Sequence, residues 1–150
     1  MRKIDSFKVN HQKLERGIYV SKIDGDIITL DLRIRKPYAD AVLTDAEMHS
    51  LEHLLATALR NSEFGGNVIY VGPMGCATGF YVLFRALSEA QMLKALKISF
   101  KGVLDFSVMP GDSEFECGNC NTLDLKVGKN LTKECLAILE CKSGFDKYPT

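Results

Sequence analysis

The sequence predicts an α+β fold: an antiparallel β-sheet packed against helices in one domain over residues 1–150, with a metal-binding helix carrying His-x-x-Glu-His. Three observations carry that prediction. β-branched segments come in two adjacent pairs, each pair joined by a short turn-rich stretch. Three further segments have the 3.6-residue apolar period of amphipathic helices. The order of these segments is not the strict strand–helix–strand alternation that a parallel sheet requires. A chain of 150 residues fits one domain and is long enough to bury a true core.

The elements follow in order. "GIYVSKI" and "DIITLDLRI" alternate apolar and polar residues around "DGD" at 24–26, which predicts a β-hairpin. "KPYADAVLT" reads as a loop, and Thr44 or Asp45 supplies an N-cap for a helix running to about Arg60. The pair Gly65 and Gly66 ends that region. "NVIYVG" and "TGFYVLF" read as two buried strands separated by "PMGCA". Ser88 caps "SEAQMLKALKISFKGVL", with a glutamate expected to complete the capping box. The stretch "MPGDSEFECGNC" is turn-rich and irregular, and "LTKECLAILECK" reads as a last helix closed by Gly144.

Composition removes several function classes. Lysine plus arginine equals aspartate plus glutamate at 19 each, so there is neither a nucleic-acid footprint nor a polybasic membrane anchor. No apolar run reaches the length of a membrane span, and "MRKIDSFKVN" lacks the apolar core of a signal peptide, which predicts a cytoplasmic protein. In that compartment the five cysteines, 76, 117, 120, 135 and 141, are thiols, ligands or nucleophiles rather than a disulfide framework.

The chemistry concentrates in "MHSLEHLLA". His49 and His53 are four residues apart and share one side of the helix, and Glu52 joins them there. Two imidazoles on one helical face can hold a metal, and a carboxylate beside them can move protons without being a ligand. The bland alternative is a polar helix stripe with hydrogen-bonded histidines. A catalytic site needs a third ligand. His11 is one candidate, and the Cys117-x-x-Cys120 pair in a Gly/Asn-rich loop is another. Both cysteines together would close a structural Cys2His2 site, whereas Cys117 alone would leave an open position. Cys76 stands between Gly75 and Gly79, where glycine lets a substrate approach. It reads either as a nucleophile or acid/base group, or as a small hydrophobe in a turn.

Taken together, the motifs resemble S-ribosylhomocysteine lyase, the LuxS family that makes the precursor of autoinducer-2. "DSFKVNH", "LDLRI", "HSLEHLLA", "PMGCATGFY" and "CGNCNTLDL" match its motifs in order across nearly the whole chain. The resemblance implies that His49, His53 and Cys117 bind one divalent metal per subunit, natively Fe2+, with Zn2+ or Co2+ able to substitute. It implies that Cys76 and Glu52 form the acid/base pair, and that no organic cofactor is needed. Ser6, His11, Arg33 and Arg60 would serve the substrate, in a site shared across a homodimer. The implied reaction moves a carbonyl along the ribose of S-ribosylhomocysteine and then eliminates homocysteine, leaving 4,5-dihydroxy-2,3-pentanedione. Two positions depart from the family pattern, Cys120 and Tyr70. Two rivals remain: a zinc peptidase of the His-x-x-Glu-His type, with Glu134 as third ligand, and a non-catalytic Cys2His2 module.

Overall fold

The computed structural model describes residues 1–150. Strands β1 (Gly17–Asp24) and β2 (Ile27–Arg33) form the expected hairpin. Its turn needs a left-handed residue, and Gly25 supplies it at φ +62°. Strands β3 (Val68–Pro73) and β4 (Gly79–Arg85) form the second pair. β2 pairs with β4, giving one antiparallel sheet in the order β1-β2-β4-β3.

Strand alternation sorts the sheet into two faces. Ile18, Leu30, Leu32, Phe80, Val82 and Phe84 point into the core, each no more than 1% exposed. Their neighbours Tyr19, Asp31 and Tyr81 stand side by side in register on the other face. A buried aspartate on a sheet face needs partners, and those partners belong to the site described below.

Helix α1 (Asp45–Arg60) begins with a complete capping box: Thr44 accepts from the Glu47 N–H while the Glu47 carboxylate accepts from the Thr44 N–H. Its buried residues Leu51, Leu54, Leu55 and Leu59 make the apolar stripe that seats it in the core. At roughly 1.5–3 kcal/mol for each fully buried leucine, that stripe outweighs the helix's modest intrinsic preference. The stripe also determines which way the opposite side, with its histidines, must look.

Helix α2 (Glu89–Val103) has Ser88 as its N-cap, as expected, but the residue completing the box is Gln91. The third helical position falls on Gln91, whereas Glu89 sits at the first and accepts from the Phe145 N–H. Helix α3 (Leu125–Leu139) corrects the sequence reading at both ends. It starts six residues earlier, because Asp124 caps it by accepting from the Val127 N–H at 3.0 Å. It ends before Gly144, with Glu140 at its C-cap. Gly128 lies inside the helix, where a side chain would collide with Leu54 and Ser50 of α1. The absence of a side chain at Gly128 lets α3 pack directly on α1 there.

Candidate metal centre

His49 and His53 project from the side of α1 that the leucine stripe leaves free. Their rings meet edge to face, with centroids 4.7 Å apart. The irregular segment before α3 brings Cys117 to them, placing its Sγ 3.4 Å from His49 Nε2. The ligand atoms of His49, His53 and Cys117 all lie within 4.8 Å of one another. Two imidazoles and a thiol at that spacing suit one divalent transition metal, with a coordination position to spare.

Both imidazoles are held by their second nitrogen. His53 Nδ1 meets the Pro110 carbonyl at 2.8 Å, so that nitrogen is the donor and Nε2 is free to bind. Gly111 follows at φ +70°, and a Cβ there would lie 2.9 Å from His53 Nδ1. His49 Nδ1 meets the Thr122 hydroxyl at 2.5 Å. The Asn119 N–H points at Cys117 Sγ from 3.4 Å.

Glu52 lies on the same helix, and with His53, Thr57, Val71 and Pro110 it lines a cavity of about 240 Å³. Neither rival ligand set forms. Cys120 is outside the group of three, and Glu134 is engaged by Arg35 at 2.6 Å. His11, the other candidate for third ligand, is also outside that group and meets the Val9 carbonyl at 2.9 Å.

A second cluster surrounds Cys76 at the turn between β3 and β4. Its exposed Sγ lies 3.1 Å from the Thr78 hydroxyl and 3.8 Å from Arg33 Nη1. Arg33 also donates to Thr78 at 2.7 Å. Two further nitrogens of Arg33 grip Asp31, at 2.6 and 3.1 Å, in an ion pair only 2–3% exposed. Tyr148 donates to the same carboxylate at 2.7 Å and stacks on Tyr19. Burial first, and then the charge of Asp31, keep the Tyr148 hydroxyl protonated far above the usual phenol range. The donors around Asp31 are therefore permanent, and the guanidinium is held facing the thiol.

The remaining sequence candidates sit apart from both clusters. Ser6 lines a basic cavity of about 570 Å³ with Arg2, Lys3, Lys8 and Lys22. Arg60 closes α1 and reaches the carbonyls of Val68 and Ile69 at 3.5 and 3.3 Å. It lies two turns, about 10 Å, beyond His53 along the helix. Tyr70 is half exposed on β3. Pro110, Gly111 and Tyr148 carried no signal in the sequence, because each acts through a partner more than 50 residues away, and Thr122, though inside the quoted "CGNCNTLDL", shows its role only through His49, 73 residues away. Thr78 and Asp31 fell within quoted motifs, yet only their contacts reveal what they do.

An antiparallel α+β fold with two histidines on its first helix and a cysteine brought beside them from a distant loop defines a class of protein: one whose His2Cys donor group fits a single metal ion beside a carboxylate. Comparison with known sequences narrows that class. A profile described as S-Ribosylhomocysteinase (LuxS) matches residues 4–144. The S-ribosylhomocysteine lyase of Borreliella afzelii (strain PKo) is 38% identical over 157 aligned positions, covering 99% of this chain and all of that one. The S-ribosylhomocysteine lyase of Finegoldia magna is 40% identical, covering 93% and 92% of the two chains. That of Desulfotalea psychrophila is 42% identical over 83% of each. The chain belongs to the S-ribosylhomocysteinase (LuxS) family.

Proposed function

We propose that this protein is a metal-dependent S-ribosylhomocysteine lyase, cleaving the thioether of S-ribosyl-L-homocysteine to L-homocysteine and 4,5-dihydroxy-2,3-pentanedione. The observation that carries the reading is the convergence of His49, His53 and Cys117 beside Glu52, in a chain of this family. The donor set fits a single divalent ion that accepts imidazole and thiolate, natively Fe2+, with Zn2+ or Co2+ as substitutes. Such an ion, when bound, supplies Lewis acidity toward a substrate oxygen.

The chain's own residues account for the protons. Moving a carbonyl along a sugar removes a proton from one carbon and returns it to the neighbour, so two acid/base groups are needed. Glu52, on the wall of the cavity beside His53, is one of them. Cys76 is the other: it is exposed, flanked by glycines and faced by Arg33, so negative charge forming on its sulfur meets a guanidinium. Arg33 in turn is kept from swinging toward solvent by Asp31 and Thr78. Loss of sulfur at the end needs only β-elimination from the migrated carbonyl. The internal redox change requires no organic cofactor.

Ser6, His11 and Arg60 complete the substrate site, which two chains share in a homodimer. Exposed Ile4, Phe7 and Val42 leave apolar surface for a second copy to cover.

The test is thiol release. Anaerobically purified protein loaded with Fe2+ or Co2+ and given S-ribosylhomocysteine should release homocysteine, read with a thiol reagent. Cys76→Ala should keep its metal and lose release by at least about 100-fold, the range for an acid/base group. No release from folded, loaded wild type would refute the lyase; release by both would remove Cys76 from the chemistry.

A further inference from the structure

Each histidine of the donor group is oriented through Nδ1, but by different means. For His53 the acceptor is the Pro110 carbonyl, which no side-chain substitution removes. For His49 it is a side chain, Thr122, at 2.5 Å. The Thr122 hydroxyl has one proton, and the Asn119 carbonyl stands 3.3 Å away to accept it. With that proton committed, the Thr122 oxygen accepts from His49 Nδ1–H, and the Nε2 lone pair is left facing Cys117 Sγ at 3.4 Å. The opposite tautomer would strip the Asn119 carbonyl of its donor and put a proton where the ion binds.

The same short segment does three things at once. Cys117 provides a ligand, the Asn119 N–H points at that ligand's sulfur, and Thr122 sets the tautomer of the facing histidine. Thr122 itself sits in the 3-10 turn Cys120–Thr122, closed by the Leu123 N–H to the Cys120 carbonyl. The turn is anchored to α1 from the other side by the Asp124 N–H, which donates to Ser50 at 2.9 Å.

We propose that Thr122 is a positioning residue of the metal centre: its hydroxyl fixes the His49 tautomer that presents Nε2 to the ion. The inference rests on the metal reading above and adds a residue to it. Outer partners of this kind are worth about 10–100-fold in metal affinity. Valine matches threonine in shape and lacks only the hydroxyl, so it isolates the hydrogen bond.

The experiment titrates apo protein with Co2+ against a competing chelator and records the visible absorption of the bound ion. Circular dichroism and thermal unfolding of the same samples check the fold. Thr122→Val should bind Co2+ at least about 10-fold more weakly, with a shifted absorption band and an unchanged fold. Thr122→Ser, which keeps the hydroxyl, should recover both the affinity and the band. Wild-type affinity and spectrum in Thr122→Val would overturn the assignment, as would equal loss in the valine and serine variants. Failure of folded wild type to bind Co2+ would instead sink the metal reading itself.

Discussion

At the scale of single residues, the site is built on positions where little else fits. Gly111 shows this most sharply. Its φ of +70° is left-handed, and a Cβ would lie 2.9 and 3.0 Å from two atoms of the His53 ring. Gly111→Ala is expected to cost roughly 1–2 kcal/mol in backbone strain. It should also tilt His53, weakening Co2+ binding by about 10-fold or more. Chemical denaturation and metal titration on one preparation separate the two effects, and wild-type affinity in the variant would show that His53 tolerates the push. Cys135 illustrates the opposite case. It is fully buried in the core, and burial pushes its thiol far up, so it acts as a small hydrophobe. Cys141, by contrast, lies exposed.

At the scale of elements, the core-facing stripe of α1 was legible from periodicity, and so was its polar side. The start of α3 was not, although its Asp124 cap is local, and the fit of Gly128 against α1 exists only once the two helices pack. The segment joining β2 to α1 is held in a similarly non-local way. Asp40 accepts from Arg16 at 2.8 Å and from the Lys36 N–H at 2.6 Å. The Arg16 guanidinium, and next the Lys36 amide, hold its carboxyl down to about 2. An unfolded aspartate titrates near about 3.9. The folded value is the lower one, so the contribution to stability is full above about pH 4 and fades as pH falls toward 2. Asp40→Asn should remove that part of the acid-unfolding slope. An NMR titration placing Asp40 at the ordinary aspartate value would contradict the latch.

At the scale of the whole molecule, no helix is long and apolar enough to cross a membrane. The sheet puts its helices on one face and leaves Tyr19, Asp31, Tyr81 and Arg33 on the other, where the C-terminal residues fold back to cover them. The Asp146 N–H donates to the Ile18 carbonyl at 2.7 Å, and its carboxylate accepts from the Ile18 N–H at 2.9 Å. That tether delivers Tyr148 to Asp31, from beyond the residues the family profile matches. The proposed shared site would require two chains. Sedimentation should therefore give about twice the 16.7 kDa of one chain at micromolar concentration. A monomer that still releases homocysteine at full rate would exclude a site divided between subunits.

The sequence alone determined the secondary-structure order, the antiparallel α+β class and the side of α1 that carries His49, Glu52 and His53. These follow from local periodicity, which acts over a few residues and is written in the chain. It could not decide between three and four protein ligands, since Cys117 and Cys120 are equivalent as spacing. The tertiary structure gathers three donors, turning Cys117 toward His49 and leaving Cys120 outside the group. It also decided which groups hold the ligands still. A hydrogen bond from residue 49 to residue 122 depends on how α1 packs against the segment before α3, and packing is a property of the assembled core.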